Sequence, residues 1–331
     1  MKVFCSLVAV LLLGCLLKQA QGADFGTSAR QTELTEVNGR KYLLVPLTPQ
    51  EAPVPIKPTD VRLLKWDFDG PDFKLLKNGT LAGNGYKSVP SSWAQWLPYA
   101  KEEGESLSPV ARYSVVPSGL PGGGNALQYF LGPQKPTDHK ARTEHYLTVE
   151  NFDKPYVSDF SLKLHPGFTP VDLKRPDGGI AWCYLRQWHQ GVSTLSPPME
   201  LTVKLGTRDV ISTIFRWGTD KGGKTYEARS SEKKIQLGQW YHFRFEWRIA
   251  PGTDRSYGKV WMSDQRKGDQ LIAEDLWCNY RGPIGYVNPD GKPSWDGHPI
   301  REQEGLYQNS HLAPDAFHAV IYDNVSIHLR N

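Results

Sequence analysis

From Trp240 to Ile249 the chain alternates large apolar and charged residues with a period of two. Tyr241, Phe243, Phe245, Trp247 and Ile249 oppose His242, Arg244, Glu246 and Arg248. Only an extended strand throws successive side chains to opposite sides, so the pattern dictates a β-strand with one face on a core. Similar short runs recur at 61–68, 111–116, 126–131, 159–164, 180–189, 199–205, 210–217, 258–262 and 316–329, separated by Gly, Pro and Asp. No sustained apolar stripe of period 3.6 accompanies them. Many short strands with turn signals between them predict an all-β chain, a jelly-roll β-sandwich with few, short helices. Eleven tryptophans and fifteen tyrosines supply ample apolar area for its core, at roughly 25 cal/mol per Å2 buried.

The amino terminus reads differently. Lys2, the apolar run from Val3 to Leu17 and the small-x-small site Ala20-Gln21-Gly22 predict a signal peptide over 1–22, hence a secreted, extracellular protein. No other run approaches the roughly 20 apolar residues of a spanning helix, so no membrane partner is expected. Residues 23–60 are expected to be irregular, because Pro46, Pro49, Pro53, Pro55 and Pro58 each lack a backbone donor. Residues 61–331 are then expected to form the sandwich domain, as a monomer.

Loss of Lys2 and Lys18 with the signal would lower the formal charge of +4 to +2. That total implies no general polyanion surface, and scattered Lys and Arg give no reason to expect nucleic acid. Cys183 and Cys278 would remain, and an oxidising compartment favours a disulfide between them; two buried thiols are the other reading. Asn78 and Asn324 begin glycosylation sequons. Asp67, Asp69 and Asp72 could bind calcium, although an ordinary Asp-Gly turn is the stronger reading. No other metal or cofactor is expected, since the histidines show no ligand spacing such as His-Glu-x-x-His. Absence of a Gly-x-Ser-x-Gly elbow and of a Glu-x-Asp-x-Glu strand disfavours the α/β-hydrolases and the jelly-roll glycoside hydrolases.

Three separated segments carry chemistry. Arg142-Thr143-Glu144 opens one strand, Gln187-Trp188-His189 closes another, and Gly305-Leu306-Tyr307, followed by Gln308, lies in a late third. Residues two apart share a strand face, so Gln187 projects beside His189, and Arg142 beside Glu144. Trp182, Tyr184 and Trp188 alternate with the Gln187–His189 face and are read as core.

This set resembles the signature of β-jelly-roll polysaccharide lyases, concanavalin-like sandwiches in which Arg-x-Glu, Gln-x-His and Lys-x-Gly-x-Tyr strands line one groove. The run from Gly179 to Val203 is most similar to the glucuronan lyase and heparin lyase I group; alginate lyases share the Gln-x-His and Gly-x-Tyr elements. The resemblance implies β-elimination on an acidic polysaccharide, with Arg142, Gln187, His189 and Tyr307 catalytic and Glu144, Gln303 and Gln308 binding substrate. One position departs from it: Gln303 stands where the family has lysine, replacing a charge with a neutral amide.

The chemistry also follows from the residue types. Removing the weakly acidic C5 proton of a uronate needs its carboxylate neutralised, which an amide or guanidinium can do. A base must take the proton and an acid must protonate the departing O4. An imidazole and a phenol suit these tasks, and the division between His189 and Tyr307 stays open. A non-catalytic extracellular matrix protein binding acidic glycans through the same groove is the competing expectation.

Overall fold

The protein is described by a computed structural model. It covers residues 34–37, 40–43, 53, 55–66, 68, 74–75, 81–82, 111–120, 123–132, 141–149, 151–173, 178–179, 181–190, 195–220, 223–264, 275–294, 300–309 and 316–331. The expected signal, Asn78, and the Asp67, Asp69 and Asp72 cluster lie outside the described residues. Among the described residues there are strands and turns but no helix.

In chain order the strands begin with β1 (Leu34–Val37), β2 (Arg40–Leu43), β3 (Val61–Trp66), β4 (Lys74–Leu75), β5 (Leu81–Ala82), β6 (Ala111–Pro117) and β7 (Asn125–Leu131). They continue with β8 (Ala141–Val149), β9 (Tyr156–Leu164), β10 (Cys183–Gln190), β11 (Met199–Val203), β12 (Val210–Thr219), β13 (Thr225–Arg229) and β14 (Lys233–Lys234). The last are β15 (Tyr241–Arg248), β16 (Tyr257–Asp264), β17 (Asp275–Arg281), β18 (Gly285–Val287), β19 (Ile300–Gln308) and β20 (His318–Leu329). Within the segment expected to be irregular, β1 and β2 pair as a hairpin, and Leu34–Asn331 forms one compact unit.

Two eight-stranded sheets make the sandwich. The front sheet runs β13-β12-β11-β10-β19-β8, with β14 and β18 added against β12; the back sheet runs β17-β16-β15-β9-β20-β7-β6, with β3 against β20. All pairings are antiparallel except β12 with β18. The alternation that opened the sequence reading is realised in β15: Tyr241, Phe243, Phe245 and Trp247 are buried in the core between the sheets. Trp188 of the front sheet meets Phe245 of the back sheet with ring centroids 4.7 Å apart, and Phe215 stacks on Tyr280 at 4.6 Å. On the other side of β15, Arg244 donates to Asp159 at 2.7 Å. Burial would push the Asp159 carboxyl up, but hydrogen bonds from His242 and Arg244 outweigh it and hold the group below its ordinary value.

The interior also holds charge. Arg186 is wholly buried and donates to Glu302 at 2.6 Å and to Glu304 at 3.0 Å. Ser158 donates to the other oxygen of Glu302 at 2.7 Å, and Trp247 donates to Ser158 at 2.9 Å. Tyr129 donates to Glu304 at 3.0 Å while its oxygen lies 2.9 Å from His145 Nδ1. A phenol has one proton to give, so with that proton on Glu304 the imidazole Nδ1 must be the donor to Tyr129. The guanidinium lies 4.1 Å from the Phe160 ring centroid. A carboxylate in an apolar interior needs this many partners, because its desolvation otherwise costs several kcal/mol. Burial pushes Glu304 up, and Arg186 only partly opposes it, leaving the group at about 7.

The expected Cys183–Cys278 disulfide is not formed. Both thiols are unpaired and buried, one on β10 of the front sheet and the other on β17 of the back sheet. Cys183 Sγ lies 4.0 Å from His318 Nδ1. Burial pushes the Cys183 thiol up strongly and the Cys278 thiol up to about 12, which suppresses the thiolate that disulfide exchange requires. Alkylating the unfolded protein without a reductant should therefore label both Cys183 and Cys278, and prior reduction should leave the melting temperature unchanged. Labelling of the pair only after reduction would show the opposite.

Asn324 sits on β20 where the pairing with β9 shifts between Asp323 and Ser326. It is exposed, with φ of 52° and its N–H donating to Asp323 Oδ1 at 2.7 Å. The sequon therefore begins at an exposed, irregular point of the strand.

Candidate functional site

The three sequence motifs come together on the outward face of the front sheet. β19 is its spine: β8 pairs with it on one side and β10 on the other. Against β8 the register is regular, pairing Tyr307 with Arg142, Gly305 with Glu144, Gln303 with Tyr146 and Arg301 with Thr148. Since opposite residues share a face, Arg142 and Glu144 belong to the face of Tyr307 and Gln303.

Against β10 the ladder slips. Gln187 pairs with Gln303 and His189 with Arg301, but Arg186 pairs with Glu304 while Tyr184 pairs with Tyr307. Two steps along β10 thus match three along β19. Leu185 and Arg186 both turn into the core, and Tyr184 is carried to the outward face with Gln187 and His189. Leu185 is buried in the core, and its carbonyl accepts from Tyr322. Of the three aromatics read as core, Trp188 is core, with no exposure. Tyr184 is buried as well, but it and Trp182 lie outside the core between the sheets: they stack on each other at 4.7 Å, and Trp182 meets Tyr307 edge to face at 4.4 Å. Strict alternation from Gln187 would have placed Tyr184 in that core, and the slip is the reason it is not there.

Gly305 makes room for the centre of the site. It has no partner on β10, its φ is +130°, and a Cβ there would lie 2.2 Å from the Thr143 carbonyl oxygen and 2.8 Å from Glu144 Cα. Only glycine tolerates that backbone and that approach. Over it the Gln187 Nε2 donates to Glu144 Oε1 at 2.5 Å, bridging β10 and β8 across β19. Gln187, Glu144 and Gln303 are almost fully buried. Among the described residues, the Oε1 atoms of Gln187 and Gln303 have no hydrogen-bond partner, although the two residues are cross-strand neighbours. The Glu144 carboxylate only accepts, so it fixes the Gln187 amide with Nε2 toward it and leaves the Gln187 Oε1 buried, as the Gln303 Oε1 is.

His189 and Tyr307 are half-buried. They stand at opposite ends of the constellation: His189 is in register with Arg301, six positions along β19 from Tyr307, which puts about 20 Å between those two backbone positions. Gln308, expected as a binding residue, does not join the face. It is buried on the core side, with its Oε1 against Nδ1 of His318. Burial holds the His318 imidazole down at about 4. Alternation from Tyr307 already implied that turn away from the face.

Beyond Gln187 the same face continues into an ion-pair ladder that the motifs did not announce. Glu200 is in register with Gln187; Arg216 donates to it at 2.6 and 2.9 Å and to Glu227 at 2.9 Å, and Arg229 donates to Glu227 at 2.8 Å. Burial raises Glu200, and Arg216 opposes the rise. Burial and the Glu200 charge together lift the Tyr184 phenol well above its ordinary value, so it stays a neutral phenol. Among the described residues no group of three or more His, Cys, Asp or Glu could hold a metal ion, and no helix is long and apolar enough to cross a membrane.

The fold and this face define an all-β, jelly-roll-like sandwich with a polar-aromatic surface on one sheet. No family model matches the sequence, and no curated protein matches it. Solved structures similar to it include the endo-β-1,4-glucuronan lyase of the fungus Trichoderma reesei, with TM-score 0.45 and 13% identity over 67% of this chain and 92% of that one. Another is the marine PL-14 alginate lyase of Aplysia kurodai, with TM-score 0.42 and 11% identity over 67% and 91%. A third is the catalytic domain of a glycoside hydrolase family 131 protein of Coprinopsis cinerea, with TM-score 0.40 and 14% identity over 68% and 79%. Each likeness is one of fold.

Proposed function

We propose that this is a secreted protein, cleaved after residue 22, whose front-sheet face binds a uronic-acid polysaccharide and cleaves it by β-elimination. The observation that carries the reading is the registration of Arg142, Gln187, His189 and Tyr307 on one face of three adjacent strands. In the reaction the C5 proton is removed, its electron pair becomes the C4–C5 double bond, the C4–O4 bond breaks, and O4 takes a proton. Arg142 and the second N–H of Gln187 neutralise the carboxylate, letting charge spread into it. Glu144 is a positioning residue, holding the Gln187 amide through its 2.5 Å hydrogen bond. Arg142 is the residue in register with Tyr307, whereas His189 stands six positions further along. That arrangement favours Tyr307 for both proton steps, as base and then acid, with His189 gripping a neighbouring sugar residue.

Incubation with glucuronan, alginate and heparin, followed by ultraviolet absorbance of the unsaturated product, tests the reading. Product should form on one of the three. Tyr307→Phe should lower its rate by about 100-fold or more, the usual scale of a lost proton-transfer group, and His189→Ala should act mainly on KM. Silence on all three polymers would remove the catalytic claim.

A second reading is favoured by two observations: Gln303 replaces a cation, and Gln187 is already engaged by Glu144. In it the face binds acidic glycan without cleaving it, as an extracellular matrix protein would. Tight binding without product, unchanged in His189→Ala, would select it.

A further inference from the structure

We propose that Trp182 is a sugar-stacking platform that extends the groove past Tyr307 and sets how tightly a glycan chain is held there. Tyr184, displaced outward by the ladder slip, supports it from behind: the two rings stack 4.7 Å apart at an interplanar angle of 16°. Tyr307 stands against Trp182 edge to face at 4.4 Å, with an interplanar angle of 69°, and meets Tyr184 at 6.0 Å. The backbone of Trp182 is pinned on both sides, its N–H donating to Asn309 Oδ1 at 2.7 Å and its carbonyl accepting from the Asn309 N–H at 3.2 Å. Tyr184 is buried, while Trp182 and Tyr307 are half-buried, so the cluster is a supported surface, not a sealed core.

A fixed indole beside Tyr307 fits the ligand chemistry of a pyranose ring. The axial C–H face of a sugar is apolar, and a rigid aromatic ring covers it at little entropic cost, while the equatorial hydroxyls stay outside the stack. The cluster lies in the Tyr307–Arg142 row, whereas the row of Gln187 and Gln303 lies four positions along β19 from Tyr307. A chain bridging the two rows would meet an apolar ring at one end and polar amides at the other. Stacking is indifferent to charge, so Trp182 contributes affinity along the chain, and charge selection falls to the other row. The proposal rests on the reading of this face as a glycan site.

The test is binding of two hexasaccharides, one from glucuronan and one from a neutral β-1,4-glucan, to the wild type, Trp182→Phe, Trp182→Ala and Trp182→Leu. Titration calorimetry is the readout, and thermal melting controls for folding. On whichever hexasaccharide the wild type binds, Trp182→Ala and Trp182→Leu should each weaken Kd about tenfold or more, and Trp182→Phe should recover most of the loss. If the protein cleaves the glucuronan chain, KM should rise in step with the weakened Kd. Trp182→Leu keeps apolar bulk, so it decides the matter should Trp182→Ala fail to fold. Undiminished binding by Trp182→Leu would overturn the platform and leave the acidic-glycan reading intact. Loss restricted to the neutral hexasaccharide, the only one bound, would support the platform and sink the acidic reading. No wild-type binding to either would overturn both.

Discussion

Replacing Arg186 with alanine should lower the melting temperature by roughly 10 °C, the effect of losing about 3–5 kcal/mol in a chain of this size. The side chain is wholly buried and is the cation between Glu302 and Glu304, so its removal strands two carboxylates in the apolar interior. The pH dependence identifies the cause. Burial raises Glu304 from its ordinary 4.5 to about 7. Between those values the folded state binds more protons than the unfolded chain, so this group's contribution is complete below about 4.5 and is lost as pH rises through about 7. Arg186→Ala should therefore look least damaging near pH 5 and most damaging above pH 8. Replacing all three, as Arg186→Met with Glu302→Gln and Glu304→Gln, should restore much of the stability and flatten that slope, because no uncompensated charge remains. Thermal melting across pH checks both. An Arg186→Ala variant that melts with the wild type at pH 8 would contradict the network's assigned role.

The second large effect belongs to Gly305. Gly305→Ala should cost about 3 kcal/mol or more, since the +130° φ is itself strained for any side chain and the new methyl meets the β8 backbone at 2.2 Å from Thr143 O. A fall in melting temperature of roughly 6 °C or more is expected. Any function of the face should fall further than stability alone explains, because pushing β8 away lengthens the 2.5 Å hydrogen bond between Gln187 and Glu144. Ligand binding measured well below the melting temperature separates the two effects. Gly305→Ala with wild-type stability would mean that β8 can withdraw without cost.

How much of this the sequence disclosed depends on whether local pattern or distant partnership decides a residue's place. β15 was legible because alternation is a local geometric property, and its apolar row lies where the pattern put it. The three motifs were legible for the same reason, since Arg142 with Glu144 and Gln187 with His189 each share a face at spacing two. Tyr184 was not, because the slip that turns it outward arises in the pairing of β10 with β19, more than a hundred positions away in the chain. Glu302 and Glu304 flank Gln303 and look like groove charges. Alternation with Gln303 turns both inward, but their partners there, Arg186 and Ser158, come from other strands and were not legible. Cys183 and Cys278 were paired by compartment reasoning, yet burial on opposite sheets leaves each as a thiol. Gln308 could have been excluded by alternation from Tyr307, an available signal that the motif obscured.

The one-residue slip on β10 acts as a frameshift within the pleat. On one side of it even-numbered positions such as Trp182 and Tyr184 look outward; on the other, odd-numbered Gln187 and His189 do. A chain with the same motif but an unshifted ladder would turn its counterparts of Cys183 and Leu185 toward the groove and fold the two rings into the core. Sequences that share Gln-x-His can therefore differ in what flanks it, and motif spacing alone would not reveal which arrangement a given chain adopts.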